Sequence, residues 1–241
     1  MEILLALLIV LGATVGILNL GYFTRRLPFS VSKLEHINVQ SRHQVLLAGI
    51  AILVLIALCL VNGPNLSVFF APGNVSTPAT GVSWLGIPEG TSWLKLGISL
   101  SFFITLATFL FVYLQFRRMG GDPGRVVPFI PWILLFSVTN SFSEEVVYRL
   151  GIIVPLAGVI SPDYILLLSA IAFGAPHLRG MPNGIVGALM AGFLGWLLAK
   201  SVMETNGIFW AWFIHFLQDI VIFSALVMAA ANKPQANGPH L

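Results

Sequence analysis

Five stretches of this chain run for about 17 residues or more with almost no charge, and that property limits the fold more than any other. Residues 3–23, 44–62, 96–116 and 183–199 hold no Asp, Glu, Lys or Arg, and 207–231 holds only Asp219. A bilayer core about 30 Å thick is crossed by about 20 apolar residues in a helix. In lipid every backbone N–H and C=O must be paired inside the protein, and a run of this length does so on its own only as a helix. Charged residues make up 9% of the 241 residues and hydrophobic ones 57%, against roughly 25% and 45–50% in soluble domains. A soluble globular enzyme is excluded. So is a nucleic-acid partner, because 12 Lys and Arg giving a net charge of +3 make no phosphate-tracking surface. The single cysteine, Cys59, excludes a disulfide framework and a Cys-based zinc site. In its apolar run it is expected to pack as a small inert hydrophobe.

Between Val127 and His177 the apolar segments are broken by Pro128, Pro131, Pro155 and Pro162. They read as three shorter helices over about 127–142, 143–159 and 163–177. The fold expected is therefore an all-α, polytopic integral membrane helix bundle of eight transmembrane helices, or seven if 127–159 is one bent span. Its divisions are N-terminal helices and an external loop over 1–80, a helical core over 81–231 and a polar tail over 232–241. The opening segment lacks a basic n-region and an A-x-A site, so it reads as a retained helix rather than a cleaved signal.

Loop charges orient the bundle. The 24–43 loop carries Arg25, Arg26, Lys33 and Arg42 against Glu35, and the 117–126 loop carries Arg117, Arg118 and Arg125 against Asp122. The 63–93 loop carries only Glu89 and is rich in Gly, Pro, Asn, Ser and Thr, so it reads as irregular and surface-lying. The positive-inside tendency places the first two loops in the cytoplasm and the third outside, with the N-terminus outside. The triplets Asn65-Leu-Ser67 and Asn74-Val-Ser76 match a glycosylation sequon, a pattern common by chance.

Burying a charge in lipid costs from about 2.5 to over 10 kcal/mol, so each ionisable residue inside a span needs a partner or a task. Five charged residues lie within the expected helices: Glu144, Glu145, Arg149, Asp219 and, nearer an end, Lys200; His177 and His215 join them. Glu145 and Arg149 share a helix face four residues apart and can pair. Glu144 points about 100° away without a basic partner in the helix, so it is either the cap of a Ser141-x-x-Glu144 capping box or a general acid or base. His177 follows Phe173 by four residues at a helix end. His215 and Asp219 stand four apart, so that the acid can orient the imidazole. If 143–159 and 163–177 form an antiparallel hairpin, Glu144 and His177 each lie about 20 Å from the turn. One pocket then holds a carboxylate, two imidazoles and Asp219, a set able to activate water and stabilise an oxyanion.

Glu144-Glu145-x-x-x-Arg149, Phe173-x-x-x-His177 and His215-x-x-x-Asp219, in this order, resemble the three motifs of the CPBP family, the CAAX-prenyl endopeptidases and bacteriocin-processing or Abi-type membrane proteases. The stretch Trp84-Leu-Gly-Ile-Pro to Trp93-Leu-Lys-Leu-Gly97 is similar to the one that often precedes the family core. The resemblance implies a glutamate-type intramembrane protease. Glu144 would activate water with help from His177. His215 and Asp219 would polarise the scissile carbonyl and hold the oxyanion, and Glu145, Arg149 and Phe173 would support the site. Prenyl endopeptidases usually carry Asn where this chain has Asp219, so that acid is either protonated or orients His215.

No cofactor is expected. Were zinc present, its ligands would be Glu144, His177 and His215. The partners implied are membrane lipid and a protein or peptide substrate, lipidated or bearing a sorting tail, in a multi-pass protein of the bacterial inner membrane. A site close to the extracytoplasmic face, as eight helices would give, favours exported substrates. Two competing readings are a non-catalytic immunity or scaffold protein retaining the fold, and an ion or proton pathway.

Overall fold

The computed structural model describes residues 2–116, 123–179 and 184–231. Arg117, Arg118, Asp122 and the tail from Asn232 lie outside them. The elements are α1 (Glu2–Leu18), a short α2 (Leu20–Thr24), α3 (Glu35–Phe69), α4 (Trp93–Phe116), α5 (Ile130–Glu145), α6 (Gly151–Leu156), α7 (Pro162–Gly174), α8 (Gly184–Thr205) and α9 (Phe209–Ala231). Among the described residues there is no β-strand, only isolated bridges. Five segments are long and apolar enough to cross a bilayer: Glu35–Phe69, Trp93–Leu114, Val126–Leu156, Gly184–Thr205 and Phe209–Ala230. With the shorter α1 and α7, the all-α bundle takes its seven-helix form.

The seven-helix outcome has a local cause. Pro128 sits in a 3₁₀ turn ahead of α5 and Pro131 in its first turn, where a missing N–H costs nothing. Pro155 falls in the last turn of α6. Nothing between them stops the helix, so α5 and α6 run on through a single π turn, Val146–Leu150. Ser141 is therefore in mid-helix, and its hydroxyl donates back to the carbonyl of Ser137 at 2.6 Å. The capping-box reading of Glu144 falls with that.

The α5–α6 rod is the axis of the molecule. Every residue from Glu145 to Leu156 is buried, and α1 and α3 pack against its α6 half while α9 and α3 pack against α5. The exterior is apolar: Leu53, Leu60, Phe103, Ile185 and Leu189 are all exposed, as a surface solvated by lipid requires. Cys59 lies on this outer face and not in the core. The hairpin turn after α6 passes through Gly158 at φ 83°, a left-handed conformation that favours glycine. α7 then returns against α8 along small residues. A Cβ on Gly174 would meet the carbonyl oxygen of Ala188 at 2.6 Å and one on Gly195 the Cβ of Phe173 at 3.1 Å, so the two backbones are in direct contact.

The connection after α3 is longer in expectation than in fact, because α3 continues past a kink at Asn62 to Phe69. There Asn65 donates to the carbonyls of Val154 and Ala157 at 3.1 and 3.3 Å, which closes the end of α6 and commits that amide. The remaining loop, 70–92, is tied down rather than loose. Glu204 accepts from the Trp93 indole at 2.7 Å and pairs with Lys200 and Thr80. Asn74 N–H donates to Thr205 and Ile208 N–H to Ala71. Lys200, one of the in-span charges, is thus neutralised in a small polar knot at the loop-bearing end of α8.

Candidate active site

Three elements bring the motif residues together. α5 supplies Glu144 and Glu145 and the π turn supplies Arg149; α7 supplies Phe173, with His177 in the 3₁₀ turn that follows; α9 supplies His215 and Asp219. A π turn adds one residue to the helical repeat and recurs at functional sites. Here it buries Val146 to Leu150 together and presents the Tyr148 carbonyl to Ser169 on α7, whose hydroxyl donates to it at 3.0 Å. That bond sets the hairpin register. Counting outward from it places Phe173 level with Glu144, and His177 about a turn beyond.

Glu145 and Arg149 form the expected ion pair, Nε to Oε2 at 3.0 Å, with both side chains 0% exposed. The second carboxylate oxygen, Oε1, lies 2.8 Å from His215 Nδ1. The ring is therefore oriented by Glu145, not by Asp219. Asp219 stands on the other side, its Oδ1 3.8 Å from His215 Nε2, and Glu144 Oε2 lies 3.7 Å from the same nitrogen. These separations exceed a hydrogen bond and leave both carboxylates within ion-pair reach of the one ring nitrogen. Glu144 keeps a fifth of its side-chain surface open, while Asp219 keeps 5%.

Phe173 is the hub on the α7 side. Its ring contacts the His215 ring edge-on, centroids 5.6 Å apart, and the His177 ring at 5.2 Å. The Arg149 guanidinium carbon sits 4.2 Å over its face, a buried cation–π contact. His177 Nδ1 lies 2.9 Å from the Phe173 carbonyl. A carbonyl only accepts, so Nδ1 carries the proton and Nε2 of the neutral ring is left with its lone pair. Among the described residues no ion pair within 4 Å joins His177 to the carboxylates, so it borders the cluster of Glu144, Glu145, His215 and Asp219 without entering it.

Three residues that the sequence reading passed over complete the polar patch. Asn140, one turn before Glu144, donates from Nδ2 to Glu144 Oε1 at 3.3 Å and to Asp219 Oδ2 at 3.1 Å. Gln44 on α3 donates to Asn140 Oδ1 at 3.3 Å. His43, beside it, lies close enough to feel the charge of Glu144. Asn140 was discoverable as a polar residue at i−4 from Glu144 in an apolar helix; Gln44 and His43 carried no such signal at the edge of a span. No set of three His, Cys, Asp or Glu side chains among the described residues is gathered as ligands for one ion. The set Glu144, His177 and His215 does not close on a single point, and no chemical step here is routed through a metal.

Residues 126–221 match the family described as Type II CAAX prenyl endopeptidase Rce1-like. That segment includes every residue of the three motifs, and the resemblance read from them is borne out over it. The match supports a membrane protease of the CAAX type in general. No curated protein and no solved structure matches the chain.

Proposed function

We propose that the chain is an intramembrane endopeptidase that uses Glu144 to activate water against a peptide bond near the C-terminus, or in a membrane-proximal segment, of a protein or peptide. The observation that supports this best is the approach of Glu144 Oε2 and Asp219 Oδ1 to one imidazole nitrogen, His215 Nε2, at 3.7 and 3.8 Å. Carboxylates in an apolar bundle are held around an imidazole only at a cost, and hydrolysis gives the arrangement a use.

In this reading a water lies within reach of Glu144 Oε2 and His215 Nε2. Glu144 takes its proton as the oxygen attacks the carbonyl carbon, with His177 Nε2 as a second acceptor at the pocket edge. His215, held at Nδ1 by Glu145, which is itself paired with Arg149, works as the doubly protonated imidazolium, so that Nε2 also bears a proton and donates to the developing oxyanion. The C–N bond then breaks, and the proton held on Glu144 passes to the leaving nitrogen. Asp219 shares the Asn140 amide with Glu144 and forms the acidic wall of the pocket. No cofactor takes part.

The substrate class we favour is a lipidated, CAAX-type or sorting-tail segment in a bacterial inner membrane. The one-span form of 126–156 puts Glu144 12 residues from Leu156, about 18 Å. A site within two turns of the outer face is therefore lost, and with it the argument for exported substrates.

The test is cleavage by the detergent-purified protein of prenylated peptides and of unmodified membrane-proximal tails. Glu144→Gln and His177→Ala are expected to lower turnover at least about 100-fold while the melting temperature is retained. Cleavage by Glu144→Gln at the wild-type rate would overturn the reading. A chelator added to the same assay is expected to leave the rate unchanged.

A further inference from the structure

The helices before residue 80 reach the polar cluster through one chain of bonds. Gln44 Nε2 donates to Asn140 Oδ1, and Asn140 Nδ2 donates to both Glu144 Oε1 and Asp219 Oδ2. An asparagine amide has two N–H groups and one oxygen. Here each N–H goes to a carboxylate, so the oxygen must face away, and Gln44 is what meets it. Glu144 is thereby held by Oε1 and left with Oε2 toward His215 Nε2.

Gln44 is 4% exposed, and its own Oε1 has no hydrogen-bond partner among the described residues. An amide buried with one end unmet is an expensive way to fill space, since Leu or Met would pack there at no desolvation cost. Gln44 pairs just the end that points down the relay. It also lies outside the family-matched segment, on α3, where the buried Asn38 and Arg42 serve a different purpose, closing the 25–34 turn.

We propose that Gln44 is a positioning residue that acts through Asn140 to fix the Glu144 carboxylate in its His215-facing rotamer and to set its separation from Asp219. As a statement about catalysis this rests on the protease reading above. As a statement about the carboxylate it does not, and the experiment separates the two.

Gln44→Met keeps the shape and removes the donor; Asn140→Leu removes the relay itself. Two readouts are taken on the full-length protein in detergent. The first is the rate at which dicyclohexylcarbodiimide, an apolar carboxyl reagent, labels Glu144, located by peptide mass. The second is kcat and KM on a peptide that the wild type cleaves. The Gln44–Asn140 bond joins two neutral amides, and losing one such bond corresponds to roughly two- to tenfold, so Gln44→Met is expected to speed labelling at least about twofold and to lower kcat about fivefold with KM within about twofold. The double variant is expected to match Asn140→Leu alone, because both changes cut one relay. Should Gln44→Met fail to fold, Asn140→Leu reads the same hold on Glu144 from the next link. Unchanged labelling, or kcat losses that simply add, would overturn the proposal. Labelling that responds in a protein with no peptidase activity leaves the relay standing and removes the protease reading; an active wild type with unresponsive labelling does the reverse.

Discussion

Glu145 divides its two oxygens between Arg149 and His215, and that sharing decides what the neighbouring residues can do. Buried ion pairs gain little over apolar packing, but breaking one leaves an uncompensated charge and costs about 3–5 kcal/mol. Arg149→Met is therefore expected to lower stability by about that amount, read as a fall in melting temperature by intrinsic tryptophan fluorescence. Adding Glu145→Gln to the same chain should recover part of the loss, since the orphaned charge goes with it. Full recovery by the double variant would make the pair dispensable; no loss in the single one would show that Arg149 has another acceptor. This residue-level network was half legible in the sequence. The i, i+4 spacing of Glu145 and Arg149, and of His215 and Asp219, is local and could be read directly. The bond from Glu145 to His215 crosses 70 positions and could not, so the sequence assigned the orienting of His215 to Asp219. Asn140 and Gln44 escaped because neutral amides leave no trace in a charge census.

Among the elements, α7 is short for a span, 13 residues before its 3₁₀ turn. Pro176 has no N–H to continue the helical ladder, and the tighter turn brings His177 back to its own Phe173 carbonyl. What holds α7 at the right height is its contact with α8. A side chain on Gly174 would strike the backbone of α8 within 3 Å, and backbone cannot yield as a flexible side chain can. Gly174→Val is expected to cost about 1–3 kcal/mol and, by prying Phe173 and His177 from the pocket, to lower turnover more than a surface variant of equal stability loss. Melting temperature and kcat measured on Gly174→Val and on a lipid-face control such as Ile185→Ala separate the two effects; equal turnover in both would show that α7 height does not matter. The hairpin itself was legible, because Gly158 and Pro162 punctuate it. The continuity of α5 and α6 was not. Asn140, Ser141, Ser143 and two glutamates in sequence look like the end of one span and the start of another, when they are the polar core of a single one.

At the scale of the molecule, the turn after α6, the 70–92 loop and the α8–α9 turn all lie at one end. Asn65 ties the first to α3, and the Asn74 and Ile208 amides tie the second to the third. Arg25, Arg26 and Lys33 belong to the other end, between α2 and α3. Gln44, Asn140 and Glu144 sit between the two ends, and gathering the polar groups at one depth speaks against a proton path, which needs them strung along the bundle. Charge bias in short loops orients membrane proteins, and the arginine-bearing end is the one it assigns to the cytoplasm. The expectation can be checked with two single-cysteine chains on a Cys59→Ala background. Ser83, in the 70–92 loop, and Ser30, between α2 and α3, are both exposed. In intact cells a membrane-impermeant maleimide should label Ser83→Cys and not Ser30→Cys, and detergent should expose the second. The opposite pattern would invert the bundle and turn the site toward the other compartment. Labelling of both in intact cells would mean that the two ends of the bundle do not lie on opposite sides of the membrane.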